Sequence, residues 1–128
     1  MKAQVSVEFM MFLAFVLLML CLASYASLTA GRDIGNDNEV TAARIITAAM
    51  AGEINIATEI GPGYSHRFVL PASLIGNNYT IDTNETGFVN VKWKDKFYSL
   101  PVLSDNITGS VRTGQNVIRN LNGVIVFE

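Results

Sequence analysis

Cysteine and histidine occur once each in this chain, at Cys21 and His66, and proline only three times. One cysteine excludes an intrachain disulfide, so the fold must rest on its own core. Positive charge has no surplus: nine Lys and Arg stand against eleven Asp and Glu, a formal net charge of -2, and the basic residues are scattered. That leaves no electrostatic footprint for nucleic acid. No Gly-rich phosphate loop follows a strand pattern, Ser and Asp are dispersed, and the lone His66 sits in a strand-like run. Catalysis has no constellation to work with, and the reading is a non-enzyme without cofactor. At 128 residues the chain has room for one domain and one long helical appendage, which excludes a multidomain enzyme.

What the chain does hold is concentrated at one end. Residues 9–30 form an unbroken run of 22 residues with no charge, no Gly and no Pro. A helix of that length is about 33 Å long, against a bilayer core of about 30 Å. The run predicts a membrane-crossing helix, with Cys21 inside it as a small lipid- or core-facing residue. Four readings compete: a plain anchor, a secretory signal peptide, a lipoprotein signal, and a helix that lies first in the membrane and later in a filament core. Ser24 and Ala26 supply a signal-peptidase site, but the run is long for an h-region. A lipoprotein signal needs small residues before Cys21, where Met19 and Leu20 stand.

Glu8 separates the remaining readings. A carboxylate at the mouth of an apolar helix is costly and by default functional. Around it the sequence reads Met1-Lys2-Ala3-Gln4-Val5-Ser6-Val7-Glu8-Phe9. This resembles the class III signal peptide of archaeal type IV pilin-like proteins, in which a basic and a small residue precede a Gln-x-Ser-x-Glu-Phe segment that leads straight into the apolar helix. The resemblance implies cutting by a prepilin peptidase between Ala3 and Gln4, with Lys2 and Ala3 at leader positions and Glu8 fifth in the mature chain. Ala3 departs from the commoner Gly, and Lys2 is the only basic leader residue. The Gly-rich, Thr-Leu-containing start of archaellins is absent, so an adhesive or structural pilin is preferred over a swimming filament.

The chemistry of Glu8 agrees with that resemblance. After the cut, the carboxylate of one copy can pair with the new α-amino group of a neighbour inside an apolar bundle, where low dielectric strengthens the pair. An unpaired carboxylate would be expelled from the core, so the pair enforces register more than it adds stability. Ser6, Glu8 and Phe9 are thus the expected assembly residues, and Lys2, Ala3 and Gln4 the expected cleavage residues. The expected partners are further copies of the chain, the prepilin peptidase, and an assembly ATPase with its membrane platform. The expected location is the membrane before assembly and an extracellular filament afterwards. A minor pilin, a pseudopilin or a non-polymerised surface-binding protein is the alternative.

Beyond the run the pattern changes. Residues 31–39 are polar with two glycines and predict a kink or break; Asn36 and Glu39 are spaced as a capping box that would restart the helix. Asp33, Asp37 and Glu39 do not match a calcium-loop spacing, so no metal is assigned. An Ala- and Ile-rich helix follows over 40–60, either with one face for the outer domain and another for a neighbouring copy or with a private core face alone, ended by Gly61-Pro62-Gly63. Strands are expected at 66–70, 79–82, 88–93, 96–102 and 123–127, with Val89, Val91 and Trp93 on one face, and short strands near Val111 and 117–118. Trp93, Tyr79, Tyr98 and Phe97 could form a ligand or adhesion surface, but aromatics at alternating strand positions are usually core. Sequons at Asn78, Asn84 and Asn106 lie beyond the apolar run and are N-glycosylation candidates on an outward-facing domain. The expected fold is α+β: leader 1–3, membrane and polymerisation helix 4–30, kink and amphipathic helix 31–61, and a small antiparallel β domain 62–128 packed on the helix's C-terminal half.

Overall fold

A computed structural model describes residues 2–83 and 87–128. Asn84, and the side chains of Lys2, Ala3 and Asp33, lie outside the described residues. The chain opens with one helix, α1, Lys2–Ile60, and continues as seven strands: β1 Ser65–Leu70, β2 Tyr79–Asp82, β3 Phe88–Trp93, β4 Lys96–Pro101, β5 Ile107–Thr108, β6 Gly114–Leu121 and β7 Val124–Phe127. It divides into two compact units, Met1–Asp37 and Asn38–Glu128.

The boundary falls inside the polar segment 31–39, but the break expected there does not occur. Helical backbone runs through it, so Asn36 is no helix cap and Glu39 no capping-box partner. Gly31 and Gly35 cost a helix about 1 kcal/mol each, which flanking helical turns on both sides can outweigh. The C-terminal stop does occur. Gly61 and Gly63 take the left-handed φ values of 87° and 95° that side-chain-bearing residues avoid, and the Gly61 N–H donates back to Ala57 O at 3.3 Å.

In the second unit the strands of the β domain form two sheets. Four strands run in the order β1-β6-β7-β5 and three in the order β2-β3-β4. All pairings are antiparallel except β5 with β7. β6 is a full eight-residue strand where only a short piece near 117–118 was expected, and Val111 lies in no strand although it is buried. One core unites the unit. Ala43, Ile46, Met50, Ile54 and Ala57, spaced by three and four along α1, meet Val89, Val91 and Trp93 from one sheet and Ile118, Ile125 and Phe127 from the other. A sheet region this small buries too little apolar surface alone, and the helix completes its core.

Candidate functional site

Two stretches of α1 stand out chemically. In the first unit, Gln4, Ser6, Glu8 and Phe9 are all exposed, as is the apolar run behind them; Phe9, Phe12 and Leu28 keep 63%, 65% and 65% of their surface. By length and composition this is a helix able to cross a membrane. Three of its hydroxyls are satisfied within the helix: Ser24 donates to Leu20 O at 2.8 Å, Ser27 to Ala23 O at 3.0 Å and Thr29 to Ala26 O at 2.9 Å. Such back-bonding removes most of the cost of placing a hydroxyl in an apolar medium. Among the described residues no group pairs with the Glu8 carboxylate.

In the second unit, the few polar residues of the helix are its fasteners. Glu39 accepts hydrogen bonds from Lys94 Nζ at 2.6 Å, Asn77 Nδ2 at 3.2 Å and the indole N–H of Trp93 at 3.3 Å. Lys94, at the tip of the β3–β4 hairpin with φ 49°, holds the Glu39 carboxyl below its ordinary value, while partial burial pulls the other way. Further along, Glu53 meets His66 Nδ1 at 2.9 Å, and Asn55 Oδ1 accepts from the Leu103 backbone N–H at 2.9 Å. The helix end is closed by Asn120 of β6, whose Nδ2 donates to Ala57 O at 2.8 Å and whose Oδ1 accepts from Gly123 N at 2.9 Å. The core-facing amide thus joins helix, strand and turn at one point.

The helix carries a second apolar stripe that the β domain leaves uncovered. Ile45, Ala49, Gly52, Ile56 and Ile60 recur at helical spacing, and Ile45, Ile56 and Ile60 are 64%, 46% and 63% exposed. A Cβ added at Gly52 would meet nothing within 4 Å. Two small residues between isoleucines let another backbone approach closely.

Of the sequons, Asn78 and Asn106 are exposed. Asn78 precedes β2, and Thr80 beside it is also exposed. Asn106 is more constrained, because its carbonyl accepts from Ile125 N at 2.9 Å. Trp93 and Tyr79 are core, and Tyr79, its phenol pushed up by burial, donates to Pro71 O. Tyr98 is half-buried against that core. Phe97 is not core: it is 70% exposed, because it pairs with Lys92 on the outward face of the three-stranded sheet. No cluster of three His, Cys, Asp or Glu with metal-holding geometry occurs among the described residues.

Sequence reasoning did not foresee the Glu39, Asn55 or Asn120 contacts. Their spacing carries no local signal, since the partners that join the helix to the β domain lie 38 to 63 residues away. Searches against protein-family profiles, curated proteins and solved structures return no match to this chain.

Proposed function

We propose that the chain is a structural subunit of an archaeal type IV pilus-like surface filament, assembled through its N-terminal helix and serving adhesion. The observation that carries the reading is Glu8: a single exposed carboxylate at the entrance to 22 uncharged, exposed helical residues. A membrane anchor needs the apolar run but not the acid. A polymer needs both, because the carboxylate marks one axial position where a neighbour's α-amino group can meet it. In this reading prepilin peptidase cuts after Ala3, the helix waits in the membrane, and an ATPase-driven platform stacks it into a bundle. The helix-covered β domain then faces outward, carrying its sequons.

The uncovered stripe from Ile45 to Ile60 supports the same reading, since apolar helix surface left bare by its own domain is a place for a second copy. The test is electron microscopy of filaments sheared from cells making the mature chain, with mass identification of the dominant protein. Filaments in which this chain dominates are expected. Its absence from them, or its retention in the membrane as single copies, would assign it to the alternative class of minor subunit or surface-binding protein.

A further inference from the structure

The second unit carries a cationic feature that polymerisation does not use. Between β5 and β6 the segment 109–114 is bracketed by two glycines at φ 94° and 96°. Gly109 has no room for a side chain, since a Cβ there would lie 2.3 Å from Phe127 O. Val111 anchors the segment in the core, and the buried Asn116 grips it: Asn116 Oδ1 accepts from Arg112 N at 3.0 Å, and Nδ2 donates to Arg112 O at 2.7 Å and to Gly114 O at 3.1 Å. Both backbone groups of Arg112 are therefore held, while its side chain is exposed. No acidic partner of its guanidinium occurs among the described residues.

Arg112 lines two open grooves, one on either side. The first, about 480 Å³, runs along Tyr79, Thr80, Ile81 and Thr113. The second, about 400 Å³, runs along Ser110, Gln115 and Asn116 to Glu128. A guanidinium on a braced backbone is suited to bidentate contact with a planar carboxylate. The groove walls add hydroxyls and an amide, donors and acceptors for neutral hydroxyl groups. Glu128, which also lines the second groove, is engaged by Arg119 at 3.4 Å, which leaves Arg112 to meet a single carboxylate. One carboxylate set among neutral hydroxyls describes a uronic acid residue within an oligosaccharide better than it describes an acidic peptide.

We infer that the two grooves meeting at Arg112 form a binding site for a uronic-acid-bearing oligosaccharide. The site rests on the reading of an outward-facing adhesive domain but does not require that the chain polymerise. The braced backbone means little ordering is lost on binding, so a shallow site can hold a ligand that a mobile loop would not.

The experiment is binding of the full mature chain, in detergent or as filaments, to an immobilised trisaccharide carrying one glucuronate, its methyl ester and a neutral trisaccharide. The acid is expected to be retained and the ester to bind about tenfold more weakly, with Arg112→Lys intermediate and Arg112→Gln at the level of the neutral sugar. Arg67→Gln, an exposed cation on β1, is expected to bind as wild type, and Ser110→Ala and Thr113→Ala to weaken binding several-fold. The proposal is overturned if acid and ester bind alike, if Arg112→Gln keeps wild-type binding, if Arg67→Gln loses as much, or if polyglutamate is captured and the glucuronate trisaccharide is not. Arg112-dependent binding by a chain that forms no filaments would overturn the polymer reading alone.

Discussion

Lys94 and Glu39 lie 55 residues apart in the chain and 2.6 Å apart in space. Trp93 and Asn77 donate to the same carboxylate, so the β3–β4 hairpin and the turn before β2 are both tied to α1 just past the unit boundary. Because Lys94 holds the Glu39 carboxyl below its ordinary value of 4.5, the folded state favours the ionised form. That contribution is complete above pH 4.5 and fades as pH falls through the lowered folded value. Glu39→Gln is therefore expected to melt below wild type at neutral pH, with the gap narrowing as pH drops below 4.5. Thermal unfolding of the mature chain in detergent, followed by Trp93 fluorescence across that range, checks it; a gap unchanged by acid would show that the charge is irrelevant.

Glu8 is expected to matter for assembly and not for folding. Glu8→Gln and Glu8→Ala should leave the β domain's near-ultraviolet circular dichroism unchanged and abolish or sharply reduce filaments, with mature protein accumulating in the membrane. Wild-type filament yield from either variant would end the pairing role.

Asn120 is expected to be the costliest polar residue of the core to lose. It is 2% exposed, and truncation to Ala leaves the Gly123 N–H and one acceptor position on Ala57 O unpaired. At about 1–3 kcal/mol for an unmade buried hydrogen bond, Asn120→Ala should lose about 2–4 kcal/mol in urea unfolding. Exposed Asn78→Ala should lose less than about 0.5 kcal/mol.

Gly52 separates folding from assembly. Nothing lies within 4 Å of an added Cβ, so Gly52→Ala should stabilise the monomer by about 0.5–1 kcal/mol. Gly52→Leu is expected to fold but to hold a neighbouring helix away from the Ile45 and Ile56 stripe, visible as shorter or fewer filaments. Equal filament yield from Gly52→Leu would remove this face from the assembly.

If the second unit is exported, peptides containing Asn78 from native material should carry glycan mass that Asn78→Gln removes, with Asn106 modified less completely because its backbone is held by β7. Peptides unmodified at both sites would refute the glycan coat.

Much of the fold was legible because local patterns carry it. The uncharged run predicts the helix, Gly61 and Gly63 its end, and alternation at Val89, Val91 and Trp93 the buried face of β3. Two failures have distinct causes. Polar composition at 31–39 argued for a break, but propensity is a weak prior and the helix continues. The β6–β7 hairpin was missed although its signal was present: Asn122-Gly123 takes φ 55° and 92°, the two left-handed residues a tight hairpin demands. Buried Asn116 and Asn120 disguised β6 as a turn-rich segment, because their amides are satisfied by partners that no local window contains. At the site, Glu8 was visible from sequence, whereas the bracing of Arg112 depends on long-range packing.

The position of β7 has a consequence for how the protein matures. It is the last strand in sequence, yet it lies between β6 and β5, and β5 has no other neighbour in its sheet. The backbone pair between Val117 and Glu128 extends that seam to the final residue. The four-stranded sheet therefore cannot close until β7 has been synthesised, and β5 waits unpaired for a strand made after it.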